Sequence, residues 1–90
     1  MLNPRQKKQL KANAHKLKPV VLMGASGLTD NVLAAIEEAL DHHELIKIKI
    51  SAGDRDERDD IIKRILDQSK AELIQRVGNI ATIYRESSDE

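Results

Sequence analysis

The sequence predicts an α/β (α+β) fold, a mixed four-stranded sheet with three helices in the order α-β-α-β-α-β-β. Two observations carry this reading. Apolar residues recur at helical spacing in three stretches, and short apolar or alternating runs lie between and after them. Near the end of the chain, Gly78-Asn79 separates two such runs, a two-residue hairpin signal. Strands linked by helical crossovers favour right-handed, parallel connections, whereas the hairpin adds an antiparallel pair, so the sheet is mixed. Ninety residues fit one domain over positions 1–90, and the polar residues 86–90 are expected to fray.

Each element has its own justification. Asn3 suits a helix cap, Pro4 the first turn, and Gln6 the reciprocal partner of a capping box. Leu10, Ala14 and Leu17 then share a face, with Arg5, Lys8, Lys11 and His15 turned elsewhere, and Lys18-Pro19 ends the helix. The run Val20-Val21-Leu22-Met23 is short, wholly apolar and opens on two β-branched valines, which predicts a short buried strand. After Gly24-Ala25-Ser26-Gly27, Thr29 caps a second helix whose apolar stripe is Val32, Leu33, Ile36, Ala39, Leu40 and His43. Ile46-Lys47-Ile48-Lys49-Ile50 alternates as a strand with one wet face does. Beyond Gly53, acidic residues suit the first turn of a third helix, with Ile61, Ile62, Ile65, Leu66 and Ser69 as its stripe. Leu73 to Val77 and Ile80 to Tyr84 are the hairpin strands.

The formal net charge of zero conceals an asymmetry. Residues 1–29 hold six basic residues and no acid, while residues 30–90 set nine basic residues against all fifteen acids. A wholly basic end attracts a polyanion, and an acidic remainder limits indiscriminate adhesion. There is no cysteine, which excludes disulfides, thiolate metal sites and a cysteine nucleophile. No apolar run reaches the roughly 18 residues of a membrane helix, and no signal-peptide pattern opens the chain. A soluble, cytoplasmic monomer without membrane contact is the expectation.

The junction Gly24-Ala25-Ser26-Gly27 has the chemistry of a phosphate cradle. Glycines turn the backbone tightly and remove side chains that hold a phosphate off. The helix that follows directs free N–H groups and a positive dipole end toward the loop, and Ser26 and Thr29 add hydroxyls. Modules of the KH type clamp a nucleotide backbone with such a G-x-x-G loop. The spacing excludes a nucleoside-triphosphate loop, and two glycines do not make a dinucleotide fingerprint. Arg5, Lys8, Lys11 and His15, then Lys18, then the loop would form one positive surface, which Lys47 and Lys49 extend if their face lies on the same side.

Other constellations are weaker. Asp41-His42-His43-Glu44 places neighbouring helical residues on diverging faces, so they do not converge on one ion. The acids from Asp54 to Asp60 lack calcium-loop spacing and its final bidentate Glu. Ser26 has no base at hand. Tyr84 is the only aromatic, so base stacking cannot be the main source of affinity, and backbone contact and shape must dominate. No metal, cofactor or catalytic residue is expected.

The segment from Leu17-Lys18-Pro19 through Met23-Gly24-Ala25-Ser26-Gly27-Leu28-Thr29 resembles the signature of the CRM domain family (chloroplast RNA splicing and ribosome maturation). So do Ala39-Leu40 through His42-His43-Glu44-Leu45-Ile46-Lys47-Ile48-Lys49, and Val77-Gly78-Asn79 to Ile83-Tyr84-Arg85. The similarity runs through the whole chain in order, and the size matches the stand-alone bacterial, YhbY-like form. It implies a fold akin to the C-terminal domain of bacterial translation initiation factor three. It further implies an RNA-binding protein that associates with ribosomal RNA in precursors of the large subunit and assists ribosome assembly. Family members often carry a basic or amide residue inside the loop, where this chain has Ala25-Ser26, so affinity is expected to lean on the first helix. The competing expectation is an adaptor that docks on a ribosomal protein through its acidic third helix.

Overall fold

The computed structural model describes residues 3–24, 27–51 and 53–86. The expected end of the tail, residues 87–90, lies outside them. The elements follow the predicted order: α1 (Pro4–Ala14), β1 (Val21–Met23), α2 (Asp30–His43), β2 (Leu45–Ile50), α3 (Arg55–Ser69), β3 (Glu72–Val77) and β4 (Ile80–Tyr84). The strands lie in the order β1-β2-β4-β3. β1 runs parallel to β2, whereas β2–β4 and β4–β3 are antiparallel. The mixed four-stranded sheet with three helices is therefore the fold.

Local chemistry sets the boundaries. Asn3 accepts from the Gln6 N–H at 2.8 Å while its own N–H donates to the Gln6 side chain at 3.0 Å, the reciprocal cap expected of this pair. Thr29 and Asp54 cap α2 and α3 by accepting from the N–H groups of Val32 and Glu57. At the hairpin, Gly78 takes φ +61° and Asn79 stays at negative φ, the pattern of a type II′ turn, which demands glycine at its first central position.

The two faces of the sheet are covered unequally. The inner face carries Val21, Met23, Ile46, Ile48, Ile50 and Ile83, packed against Ile36 and Leu40 of α2 and Ile62 and Ile65 of α3. Among the described helices only α1 lies on the outer face; its Ala14 packs with Leu45 and Ile74 while Leu10 and Tyr84 are half-buried beside them. Burying a full aliphatic side chain is worth about 1.5–3 kcal/mol, so most of the stabilisation comes from the inner face.

Four expectations need correction. β1 is not a buried strand: Leu22 is 68% and Val20 53% exposed. The strand lies at the sheet edge, and no described helix covers its outer side, so only Val21 and Met23 point into the core. α1 stops at Ala14 rather than at Lys18, because His15, Lys16 and Leu17 each donate three residues back, to Ala12, Asn13 and Ala14, and tighten the chain into a turn. His43 does not join the apolar stripe of α2. It is the last helical residue and is exposed, because the chain swings away at Glu44, which has φ +62°. Finally, the face bearing Lys47 is only partly wet: Lys49 is exposed, but Lys47 is half-buried beside α1 and Leu45 is buried under it.

Candidate nucleic-acid interface

Three connections gather at one end of the sheet. The Ser51 N–H donates to the Met23 carbonyl at 2.9 Å, and the Ile50 N–H donates to the Asn79 carbonyl at 2.7 Å. The glycine loop after β1, the segment after β2 and the β3–β4 hairpin are therefore neighbours. Within the loop, the Gly27 N–H donates to the Gly24 carbonyl at 3.1 Å. Gly27 sits at φ +76°, where any side chain is strained, and a Cβ on either glycine would meet open space. The glycines thus serve the backbone turn and leave its approaches clear. Ala25 and Ser26, both expected at the site, lie outside the described residues.

At the start of α2 the Val32 N–H is taken by Thr29 Oγ1 at 3.2 Å. The N–H groups of Asp30 and Asn31 precede any helical carbonyl partner and are left to an incoming acceptor. Asp30 itself occupies the first turn and is exposed. Its carboxylate counters the positive end of the helix, so an anion here depends on cations from elsewhere.

Those cations lie on the outer face. Arg5, Lys8, Lys11, His15 and Lys18 are all exposed. Leu45, Lys47 and Lys49 alternate onto one side of β2, and Leu45 packs under α1, so both lysines stand on the side of the sheet that carries α1. Gln6, Gln9 and Leu10 border Tyr84 at one end of the sheet, while His15 borders Lys47, Ile80 and Thr82 nearer its middle. α1, about 16 Å long at 1.5 Å per residue, crosses β2 and β3 at the end of the sheet remote from the loop, where Leu10, Asn13 and Leu17 border Leu45 and Tyr84, and His15 reaches from there toward the middle. Lys47 and then Lys49 continue the line from His15, and Arg5 starts it at the far end. The molecule's longest dimension is 34 Å, which bounds the track.

None of these cations is ion-paired among the described residues. The salt bridges join Arg64 to Asp60, Arg76 to Asp59, and Arg85 to both Glu37 and Asp41. Arg85 also donates to the Ser69 carbonyl at 2.7 Å, which ties the end of β4 to α2 and to the last turn of α3. This arginine, part of the quoted C-terminal motif, is a structural clamp.

The remaining candidates have structural roles. His42 Nδ1 lies 2.9 Å from the Glu38 carbonyl one turn back. Among the described residues no group of three His, Asp or Glu side chains is placed to share an ion. Tyr84 packs beside the small outer cluster, and its phenol is pushed above the usual tyrosine range, first by burial and then by the charges of Glu44 and Glu86.

Sequence reasoning missed part of this face. Cross-strand partners share a side, so Leu22, Lys49, Ile80 and Val77 form one row across all four strands. Lys47, Thr82 and Gln75 form the next row. Only strand register reveals these rows, and the one available signal was the parity of Lys47 and Lys49.

The comparisons with known proteins identify the family and the fold. The family model of the CRS1 / YhbY (CRM) domain matches residues 2–85. A Haemophilus influenzae protein named an RNA-binding protein is 48% identical over 88 residues, covering 98% of this chain and 89% of its own length. A Pseudomonas aeruginosa protein named a probable RNA-binding protein is 43% identical over 86 residues, covering 96% and 83% respectively. The solution structure of a hypothetical protein from Staphylococcus aureus superposes with a TM-score of 0.84 at 30% identity, covering 99% of this chain and 93% of that one. Matched by the family model from residue 2 to residue 85 and by relatives along nearly its full length, the chain belongs to the CRS1/YhbY (CRM) domain family.

Proposed function

We propose that this protein binds RNA along its outer face, from α1 across Lys47 and Lys49 to the glycine loop. Its targets on this reading are ribosomal RNA segments in precursors of the large subunit, whose assembly it assists as a cytoplasmic monomer and without catalysing a reaction. The names of its relatives support RNA as the partner. The observation that carries the assignment to this face is the separation of charges. Every salt bridge among the described residues joins residues of α2, α3, β3 and Arg85, and none reaches α1, Lys47 or Lys49. A phosphate that meets these cations displaces no carboxylate, so the gain from counterion release is kept.

The test is the salt dependence of RNA binding. If about four phosphates are neutralised, affinity for a single strand falls with a log–log slope near −3. Placing carboxylates in the loop with Ala25→Asp and Ser26→Asp should weaken binding at least tenfold, about 1.4 kcal/mol, with the circular dichroism spectrum unchanged. A slope indistinguishable from zero, or equal affinity of the double-Asp variant at moderate salt, contradicts the proposal.

A further inference from the structure

Between the end of α1 and the hairpin, the outer face holds a groove of about 210 Å³ lined by His15, Lys47, Gln75, Val77, Ile80 and Thr82. It is smaller than the roughly 300 Å³ at which sites for whole drug-sized molecules begin. A flat fragment fits its scale. Its lining divides by chemistry. Val77 and Ile80 supply apolar wall, His15 and Lys47 stand at the side of α1, and Gln75 and Thr82 offer an amide and a hydroxyl. Among the described residues no carboxylate lines it.

Thr82 is the informative member. The residue is 1% exposed, yet among the described residues its hydroxyl has no hydrogen-bond partner, and neither has the Gln75 amide. Among the described residues the one side-chain polar atom sealed from solvent without a partner is Arg58 Nε, so the Thr82 hydroxyl itself keeps contact with solvent and can exchange water for a ligand. It opens onto the groove beside a second unpartnered polar group. The pair offers donors and acceptors to a flat polar edge, while the apolar walls receive its faces.

From this we infer that the groove receives one unpaired nucleobase of the bound RNA. Gln75 and Thr82 hydrogen-bond its edge, Val77 and Ile80 pack on its face, and Lys47 and His15 hold the adjoining phosphates. The inference rests on the RNA-binding reading and adds to it a preference: the groove lies in line between α1 and the loop, so a strand that follows the cations crosses it. A base locked in a duplex presents neither its edge nor its face there, which favours single-stranded or bulged RNA. Tyr84 plays no part, since it lies at the other end of the sheet face, beside Gln6, Gln9 and Leu10.

The experiment holds charge constant and removes only the bases. Octaadenylate, octauridylate and an eight-phosphate polymer of abasic ribo units, which keep the 2′-hydroxyl, are titrated by fluorescence anisotropy against wild type and against Thr82→Val with Gln75→Ala. Thermal unfolding checks the fold, and Gln75→Ala alone serves as the second variant should the double one unfold. Wild type should bind at least one base-bearing oligomer five-fold or more tightly than the abasic polymer. The double variant should shrink that ratio below two-fold, with affinity for the abasic polymer and its salt slope unchanged. Equal binding of all three polymers by wild type, or a base preference that survives in the variants, overturns the base subsite and leaves the groove to some other occupant such as a polypeptide side chain. Failure of wild type to bind even the abasic polymer at low salt is the separate result that removes the electrostatic RNA reading itself.

Discussion

The two faces of this sheet divide the work of the molecule. The inner face buries isoleucines of β2 and β4 against α2 and α3, and that side of the molecule holds the Arg85 clamp. The outer face buries little beyond Ala14, Leu45, Ile74 and Thr82, leaves Leu22 and Val77 in solvent, and keeps its cations unpaired among the described residues. The difference teaches that stability and binding are separable here. Changes inside should cost folding, and changes outside should cost affinity. That contrast can be broken in either direction by measuring both quantities on the same variants.

The largest expected effect is on the inner face. Ile48 is fully buried in the strand between β1 and β4, so Ile48→Ala should lower unfolding stability by about 2–5 kcal/mol. Leu10→Ala, which trims the half-buried contact of α1, should cost only about 1 kcal/mol. Equal losses in chemical denaturation would show that α1 is as integral to the core as α2. Next in size is Arg85→Ala. It removes two ion pairs and the bond to the Ser69 carbonyl, and should cost about 1–2 kcal/mol given that the paired carboxylates are partly exposed. RNA affinity should hold. A tenfold loss of affinity with intact folding would place Arg85 in the interface instead of the clamp. Smallest in stability is Lys8→Ala with Lys11→Ala, expected within about 0.5 kcal/mol of wild type in unfolding. The same pair should weaken RNA binding and lower the salt slope by about one unit or more. An unchanged slope would remove α1 from the binding face.

Much of this fold was legible because local and global signals agree. Asn3-Pro4 with Gln6, Thr29, and Gly78-Asn79 each state their own geometry, and the alternation from Ile46 to Ile50 fixes which side of β2 is core. What was not legible depended on neighbours in space. An apolar run such as Val20 to Met23 reads the same at a sheet edge as at its centre, and only the strand order shows that Leu22 faces solvent. Likewise His43 continues a helical period that the backbone abandons at Glu44. For the candidate site, residue type and parity pointed to the cations and to the glycine loop. The groove escaped notice because Gln75, Thr82 and Val77 meet only through the β3–β4 register, which includes an irregularity between Leu73 and Gln75.

The central claim is that RNA lies on the outer face, along the unpaired cations and up to the glycine loop. The most direct measurement is a residue-by-residue map of backbone amide chemical shifts as a single-stranded RNA is titrated into the folded protein. The account predicts the largest changes at Lys8, Lys11 and His15, at Lys47 and Lys49, and at Gly24 and Gly27, with the exposed sides of α2 and α3 silent beyond the first turn of α2. Changes concentrated on α3, with α1 and the loop unmoved, would contradict it.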